Sequence, residues 1–214
     1  MKYEVFKNPD ENEYAFLGID EYADVDSPRD WVNLGTFITW MNRNFSPDDN
    51  DYHDIEDFYE SFEIPKSLWG TQKLFDKPAL TKMVILPVYA YVHSETVYST
   101  TPFSCPWDSG FVGFIFMSYE SIYEEYACKR VTTKIIEKVR KNLNYEIFDY
   151  NRWLNDPIYQ VTVLNDKKEQ LDCYSGYDRD DIMKEVNAYC WDKIGECDDE
   201  DKFIDDIAES KVEI

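Results

Sequence analysis

Apolar residues along the chain fall mostly into short alternating blocks and take up helical spacing in only a few stretches. Tyr3 to Phe6 and Ala15 to Ile19 predict short strands, and Asn33 to Trp40 predicts another because Thr and aromatic residues are dense there. Asp54 to Phe62 predicts a helix, with Asp54 as N-cap and Ile55, Phe58, Tyr59 and Phe62 on one face. Met83 to His93 and Val97 to Thr101 read as two strands joined through Ser94-Glu95. Gly110 to Ser118, apolar on both faces, reads as a central strand. Ser118 is placed to cap a short helix through Tyr126. The clearest element is a helix from Val131 to Leu154, in which Val131, Ile135, Val139, Leu143, Ile147 and Leu154 recur beside a basic stripe of Arg130, Lys134, Lys138 and Lys141. The stripe is expected to pair with acids of the same chain. Ile158 to Leu164 and Glu169 to Tyr174 form a predicted hairpin, and Asp178 to Trp191 a last amphipathic helix. Hairpins with helices set after them imply an α+β fold, a mainly antiparallel sheet with amphipathic helices packed on one side.

Composition changes what this pattern can mean. The 214 residues carry 44 Asp and Glu against 22 Lys and Arg, a net charge of −22. A protein that neutralises phosphates needs the opposite balance, so direct nucleic-acid binding and anionic membranes are disfavoured. Disorder is not expected either, because 43% of the chain is hydrophobic and 17% aromatic, enough to build a core. No linker-like stretch divides the chain, so one domain over 1–197 followed by an acidic helix or tail over 198–214 is expected. With no apolar run of signal-peptide or membrane-span length, the expected location is cytoplasmic. The five cysteines fit no disulfide framework and read as reduced thiols.

Ser99-Thr100-Thr101-Pro102-Phe103-Ser104-Cys105-Pro106-Trp107-Asp108-Ser109-Gly110 is the most distinctive segment, packing prolines, hydroxyls, a thiol and a tryptophan between two predicted strands. Together with Asn33-Leu34-Gly35-Thr36, Leu86-Pro87-Val88-Tyr89 and His93-Ser94, it resembles a family of uncharacterised bacteriophage and mobile-element proteins. The resemblance spans roughly residues 24 to 180 and implies a bacterial host cytoplasm. Members commonly carry Tyr-Asp-His-Ser-Gly where this chain has Tyr91-Val92-His93-Ser94-Glu95, without the acid and the glycine. One reading of the segment is a thiol hydrolase, with Cys105 as nucleophile, His93 as base and Asp108 or Asp30 as orienter. Another is a packed loop with Trp107 buried and Asp108 capping a turn. A third is a pocket that sequesters a small ligand. The motif residues that would serve any of these are Ser99, Thr100, Pro102, Cys105, Trp107 and Asp108. Asp48-Asp49-Asn50-Asp51-Tyr52-His53-Asp54 lacks the glycine of a calcium loop and reads as a solvated acidic loop, so no metal and no cofactor are expected.

The acid is concentrated at the two ends: residues 1 to 60 are −12 and residues 153 to 214 are −11, while 129 to 152 are +4. Asp198, Asp201, Asp205 and Glu209 fall at helical spacing, and residues four apart on a helix are about 6 Å apart along its axis, of the order of a phosphate repeat. Ile204, Ile207 and Ala208 lie on other positions, suited to docking. Asp20, Glu21, Asp24, Asp26 and Asp30, then Asp48, Asp49, Asp51, Asp54 and Asp57, extend the same acidic character. Simple solubility is one consequence of such charge. With the phage resemblance, the expectation is an acidic inhibitor, a monomer or homodimer, that imitates nucleic acid and blocks a host defence protein or nuclease complex of the anti-CRISPR or anti-restriction kind.

Overall fold

A computed structural model describes residues 2–21, 23, 25–40 and 46–210. Asp24 and residues 211–214 lie outside these. Where the sequence suggested one domain and a tail, the chain divides into two compact units, Met1–Val25 with Asp156–Ile214 and Asp26–Asn155. The described residues contain nine strands in two antiparallel sheets and seven helices, a mixed α+β fold.

Unit 1 joins the two ends of the sequence. Strands β1 (Tyr3–Lys7) and β2 (Glu13–Ile19) lie inside a sheet that also takes β7 (Tyr159–Asn165), β8 (Gln170–Gly176) and β9 (Asp192–Cys197), in the order β8-β7-β2-β1-β9. β2 buries both faces because its alternate residues serve different helices. Ala15 and Leu17 pack with Ile182 and Met183 of α6 (Arg179–Glu185), whereas Tyr14 and Phe16 pack with Ile204 of α7 (Glu200–Ser210). The helix expected over Asp178 to Trp191 stops early. Asn187 takes a left-handed φ of 55°, a 3-10 turn follows over Ala188–Cys190, and β9, absent from the sequence pattern, begins at Asp192.

Unit 2 holds β3 (Thr36–Thr39), β4 (Met83–Val92), β5 (Thr96–Ser99) and β6 (Ser109–Ser118) in the order β3-β6-β4-β5, so β6 is central as its two-faced pattern requires. One face, through Phe37, Val84, Leu86 and Ile115, packs on Val139, Leu143, Ile147 and Tyr150 of α5 (Thr133–Asn155) and on Ile122 of α4 (Tyr119–Glu125). The other, through Ile38, Ile85, Phe114 and Phe116, packs on Phe58 and Tyr59 of α1 (Ile55–Ser61) and on Leu74 of the short helix α2 (Lys73–Asp76), with α3 (Pro78–Thr81) leading into β4. Helices therefore cover both faces of each sheet rather than one, because the inner strands alternate apolar residues to both sides. Leu154, placed by periodicity on the buried face of α5, is exposed at the helix end. Asp54 and Ser118 cap α1 and α4 as their sequence positions predict, accepting from Asp57 N and Ser121 N.

Sheet edges are guarded. Asn151 on α5 accepts from Tyr98 N at 2.7 Å and donates to Tyr98 O at 2.8 Å, standing in for a further strand beside β5. Asp48 does the same for β3, exchanging bonds with Phe37 N and O at 2.5 and 2.9 Å. In unit 1 the β1–β9 and β7–β8 ladders each carry a register shift, a bulge that spoils the outer strand as a template for further pairing.

Candidate functional site

Charge sorts by unit. Unit 1 holds 25 Asp and Glu against 9 Lys and Arg, a net −16, and unit 2 holds 19 against 13, a net −6. The acidic residues singled out from the sequence thus do not share one surface. Asp20, Glu21, Asp198, Asp201, Asp205 and Glu209 belong to unit 1, whereas Asp26, Asp30, Asp48, Asp49, Asp51, Asp54 and Asp57 belong to unit 2.

Several of the second group have structural work. Asp48 binds Arg29 through Nε at 2.7 Å and Nη2 at 2.6 Å, and Glu146 takes Nη1 at 2.8 Å. Asn33 Oδ1 at 3.0 Å and Gly35 O at 2.7 Å complete the set, so all five guanidinium donors are satisfied on a side chain only 3% exposed. Burial opposes the Arg29 charge, but the bonds to Asp48 and Glu146 outweigh it and raise the pKa further. Glu146 Oε1 also accepts from Leu34 N and Gly35 N at 2.9 and 3.0 Å, and a Cβ at Gly35 would collide with Leu143. This explains why Asn33-Leu34-Gly35 does not join β3 as strand. Asp48 is therefore an internal anchor and not a free partner-binding residue. Asp54 is held as an N-cap, its pKa lowered by the Asp57 N–H, and Asp57 accepts from His53 N at 2.9 Å. Asp49 and Asp51 remain exposed beside His53, along a cavity of about 260 Å³.

The Ser99–Gly110 segment is braced from within. Val92 N donates to Asp108 O at 2.8 Å, Ser109 Oγ donates to Cys105 O, Thr101 N donates to Ser99 Oγ at 3.0 Å, and Thr100 Oγ1 donates to Asn144 Oδ1 at 2.6 Å. Phe103 packs on Tyr91 at 5.8 Å. Trp107, expected in the interior, is 91% exposed, because the loop's hydrogen bonds and the Phe103–Tyr91 contact fix its shape without it. Asp108 accepts from the Cys105 thiol at 3.4 Å, whereas the His93 ring stacks on Tyr91, and among the described residues no hydrogen bond joins His93 to Cys105. Asp30 is exposed at the end of the 3-10 turn Pro28–Asp30. The structure thus pairs the thiol with the Asp108 carboxylate rather than with the His93 imidazole.

On unit 1 the acids line up. Asp199 caps α7 through Lys202 N at 2.9 Å. Asp201, Asp205 and Glu209 follow on its exposed face at four-residue spacing, while Ile204 is 3% exposed against Val5, Tyr14, Phe16 and Leu164. Asp198 to Asp201 rim a groove of about 410 Å³ with Tyr3, Lys168 and Gln170. Burial raises the Glu200 pKa, and repulsion from Asp201 and Asp199 adds to it. Ion pairs relieve only part of it: Arg179 and Lys193 with Glu4, Lys2 with Glu196, Lys184 with Asp181 and Lys168 with Asp205. Burial opposes ionisation of Glu4, yet the Arg179 and Lys193 bonds prevail and lower its pKa. Asp178, Asp180 and Asp181 at the start of α6, absent from the acidic positions expected to bind a partner, add exposed acid to this unit, and their cap pattern, with Asp178 accepting from Asp180 N and Asp181 N, is legible in the sequence.

The basic stripe of α5 does not do what was expected of it. Arg130, Lys134, Lys138 and Lys141 are exposed and, among the described residues, form no ion pair. Lys141 instead lies over the Tyr145 ring at 5.5 Å.

No protein-family model matches the sequence, and no curated protein or solved structure is significantly similar to it. No helix of the described residues is long and apolar enough to cross a membrane.

Proposed function

We propose that the protein is a phage-encoded stoichiometric inhibitor whose acidic unit 1 occupies the nucleic-acid groove of a host defence protein of the anti-CRISPR or anti-restriction kind. The observation that carries this reading is the outer face of α7. Like charges at four-residue spacing destabilise a helix, and acids in its last turn oppose the helix dipole. Asp201 suits the first turn, but α7 follows it with Asp205 and then with Glu209 in the last turn, has no basic residue in that turn, and is anchored by Ile204. Local stability is given up there for a fixed row of carboxylates, the pattern expected of a functional surface. An enzyme whose groove binds phosphates offers the complementary field, which speeds encounter and makes capture salt-dependent.

The test is inhibition of a panel of restriction and RNA-guided nucleases by the purified protein, with added DNA competing and with an Asp201→Asn, Asp205→Asn, Glu209→Gln variant alongside. Inhibition that DNA relieves and the variant loses supports the reading. A protein that inhibits none of them and protects no phage in an infection assay sinks it.

A further inference from the structure

Three exposed lysines that form no ion pair among the described residues follow one another along α5. Lys134, Lys138 and Lys141 stand four and then three residues apart, so they form one row on the solvent face of α5, about 10 Å long at the helical rise. The row continues in the same spacing into Tyr145 and Phe148, which are 54% and 55% exposed. Exposed tyrosine and phenylalanine are enriched at interface centres, and a row of charges beside them suits the polar rim.

The chain carries the complement itself. Asp201, Asp205 and Glu209 on α7 form an acidic row of about 12 Å at the same helical rise, with a matching repeat. We propose that α5 of one copy docks α7 of a second copy, lysine row against carboxylate row, so that the chain self-associates through its two oppositely charged helices. The edge strands are blunted or covered, as described above, so this contact does not compete with sheet extension. The Lys168–Asp205 pair, half-buried on the lysine side and exposed on the aspartate side, is weak enough to exchange for an intermolecular one. Net repulsion between two −22 chains is screened beyond about 8 Å at physiological salt, whereas the docked rows lie within that distance. This inference is independent of the inhibitor reading. If both hold, self-association and partner capture compete for α7.

Sedimentation velocity over a wide concentration range at about 0.15 M salt reads the result. The wild-type chain is expected to gain mass with concentration and to return to monomer at about 1 M salt. The Lys134→Glu, Lys138→Glu, Lys141→Glu variant and the Asp201→Lys, Asp205→Lys, Glu209→Lys variant should each associate about tenfold more weakly or not at all, since three facing pairs become repulsive. Mixing the two reversed chains should restore association, because the rows are again complementary. In the α7 variant Glu209→Lys suits the helix dipole whereas Asp201→Lys, in the first turn, opposes it, so circular dichroism of both variants checks that the helices are kept. A wild-type chain that stays monomeric at every concentration overturns the proposal, as does association that either reversal leaves untouched, a mixture that fails to associate, or a lysine row that instead retains a labelled single-stranded oligonucleotide. Loss of nuclease inhibition is read separately, so failure of one idea leaves the other standing.

Discussion

Replacing Arg29 with leucine keeps much of the side chain's bulk and deletes the positive charge between Asp48 and Glu146. Two carboxylates, 19% and 12% exposed, are then left facing one another with five hydrogen bonds gone. Breaking a buried pair in this way costs about 3–5 kcal/mol, and partial exposure of the acids argues for the lower end. With a urea slope of about 1–3 kcal/mol/M, a loss of about 3 kcal/mol moves the midpoint down by about 1–3 M. Tryptophan fluorescence follows this well, since Trp31, Trp40, Trp69, Trp107 and Trp153 lie in unit 2 and only Trp191 in unit 1. A triple variant, Arg29→Leu with Asp48→Asn and Glu146→Gln, should recover part of the loss because no charge is stranded. A loss under about 1 kcal/mol for Arg29→Leu alone, the worth of an exposed pair, refutes the claim that this cluster holds unit 2 together.

Gly113→Ala places a Cβ on the backbone of Ile38 and Thr39, so β3 must shift from β6; a loss of about 1–3 kcal/mol in urea unfolding is expected, with a changed near-ultraviolet circular dichroism spectrum. Burial first, and the Tyr98 charge second, push the Tyr150 phenol up to about 12 from 10.0. The folded state thus holds its proton where the unfolded chain has lost it, so this contribution to stability is complete below pH 10 and is lost as pH rises to about 12, on the order of 2 kcal/mol; Tyr150→Phe should flatten that alkaline slope in a melting series. Asn151→Ala removes both bonds to Tyr98 and should cost about 1–2 kcal/mol while hydrogen exchange at the Tyr98 amide accelerates; unchanged exchange would count against the edge-guard role. Ile204→Ala should cost about 2–5 kcal/mol of unit 1 stability, and limited proteolysis should then cut α7 first; a protected α7 contradicts its anchoring.

Strands and helices with strong period were readable: the Thr133–Asn155 helix, the central β6 and the caps at Asp54 and Ser118 all follow from residue spacing. What the sequence hid depends on distant partners. β9 lacks alternating apolar residues, and is a strand only because β1 offers it an edge. Asn33 to Gly35 look like strand but are claimed by Arg29 and by Glu146, more than a hundred residues away in the chain. Trp107 looks like core by residue type, yet Phe103 on Tyr91 is the apolar contact its loop uses. In the candidate site, the acidic positions of α7 were legible, whereas the diversion of Asp48 and Asp54 to internal duties was not, since charge alone does not distinguish a surface carboxylate from an anchored one.

Residues 1–25 and the acidic C-terminal end come together in one unit because β1 pairs with β9 and β2 with β7, whereas Asp26 to Asp57 belong to the other. This matters for the proposed function through conformational entropy. A row of acids on a free tail must be ordered when it binds, at about 1–2 kcal/mol per residue, and the loss comes out of its affinity. α7 avoids most of that loss, since Phe203, Ile204 and Ile207 hold it against the sheet before any partner arrives. The apolar residues between the acids thus determine affinity as much as the acids do. Under the proposed function, Ile204→Ala should weaken inhibition without changing a single charge, and the charge-neutral α7 variant should weaken it without loosening the helix; together the two variants separate preorganisation from electrostatics.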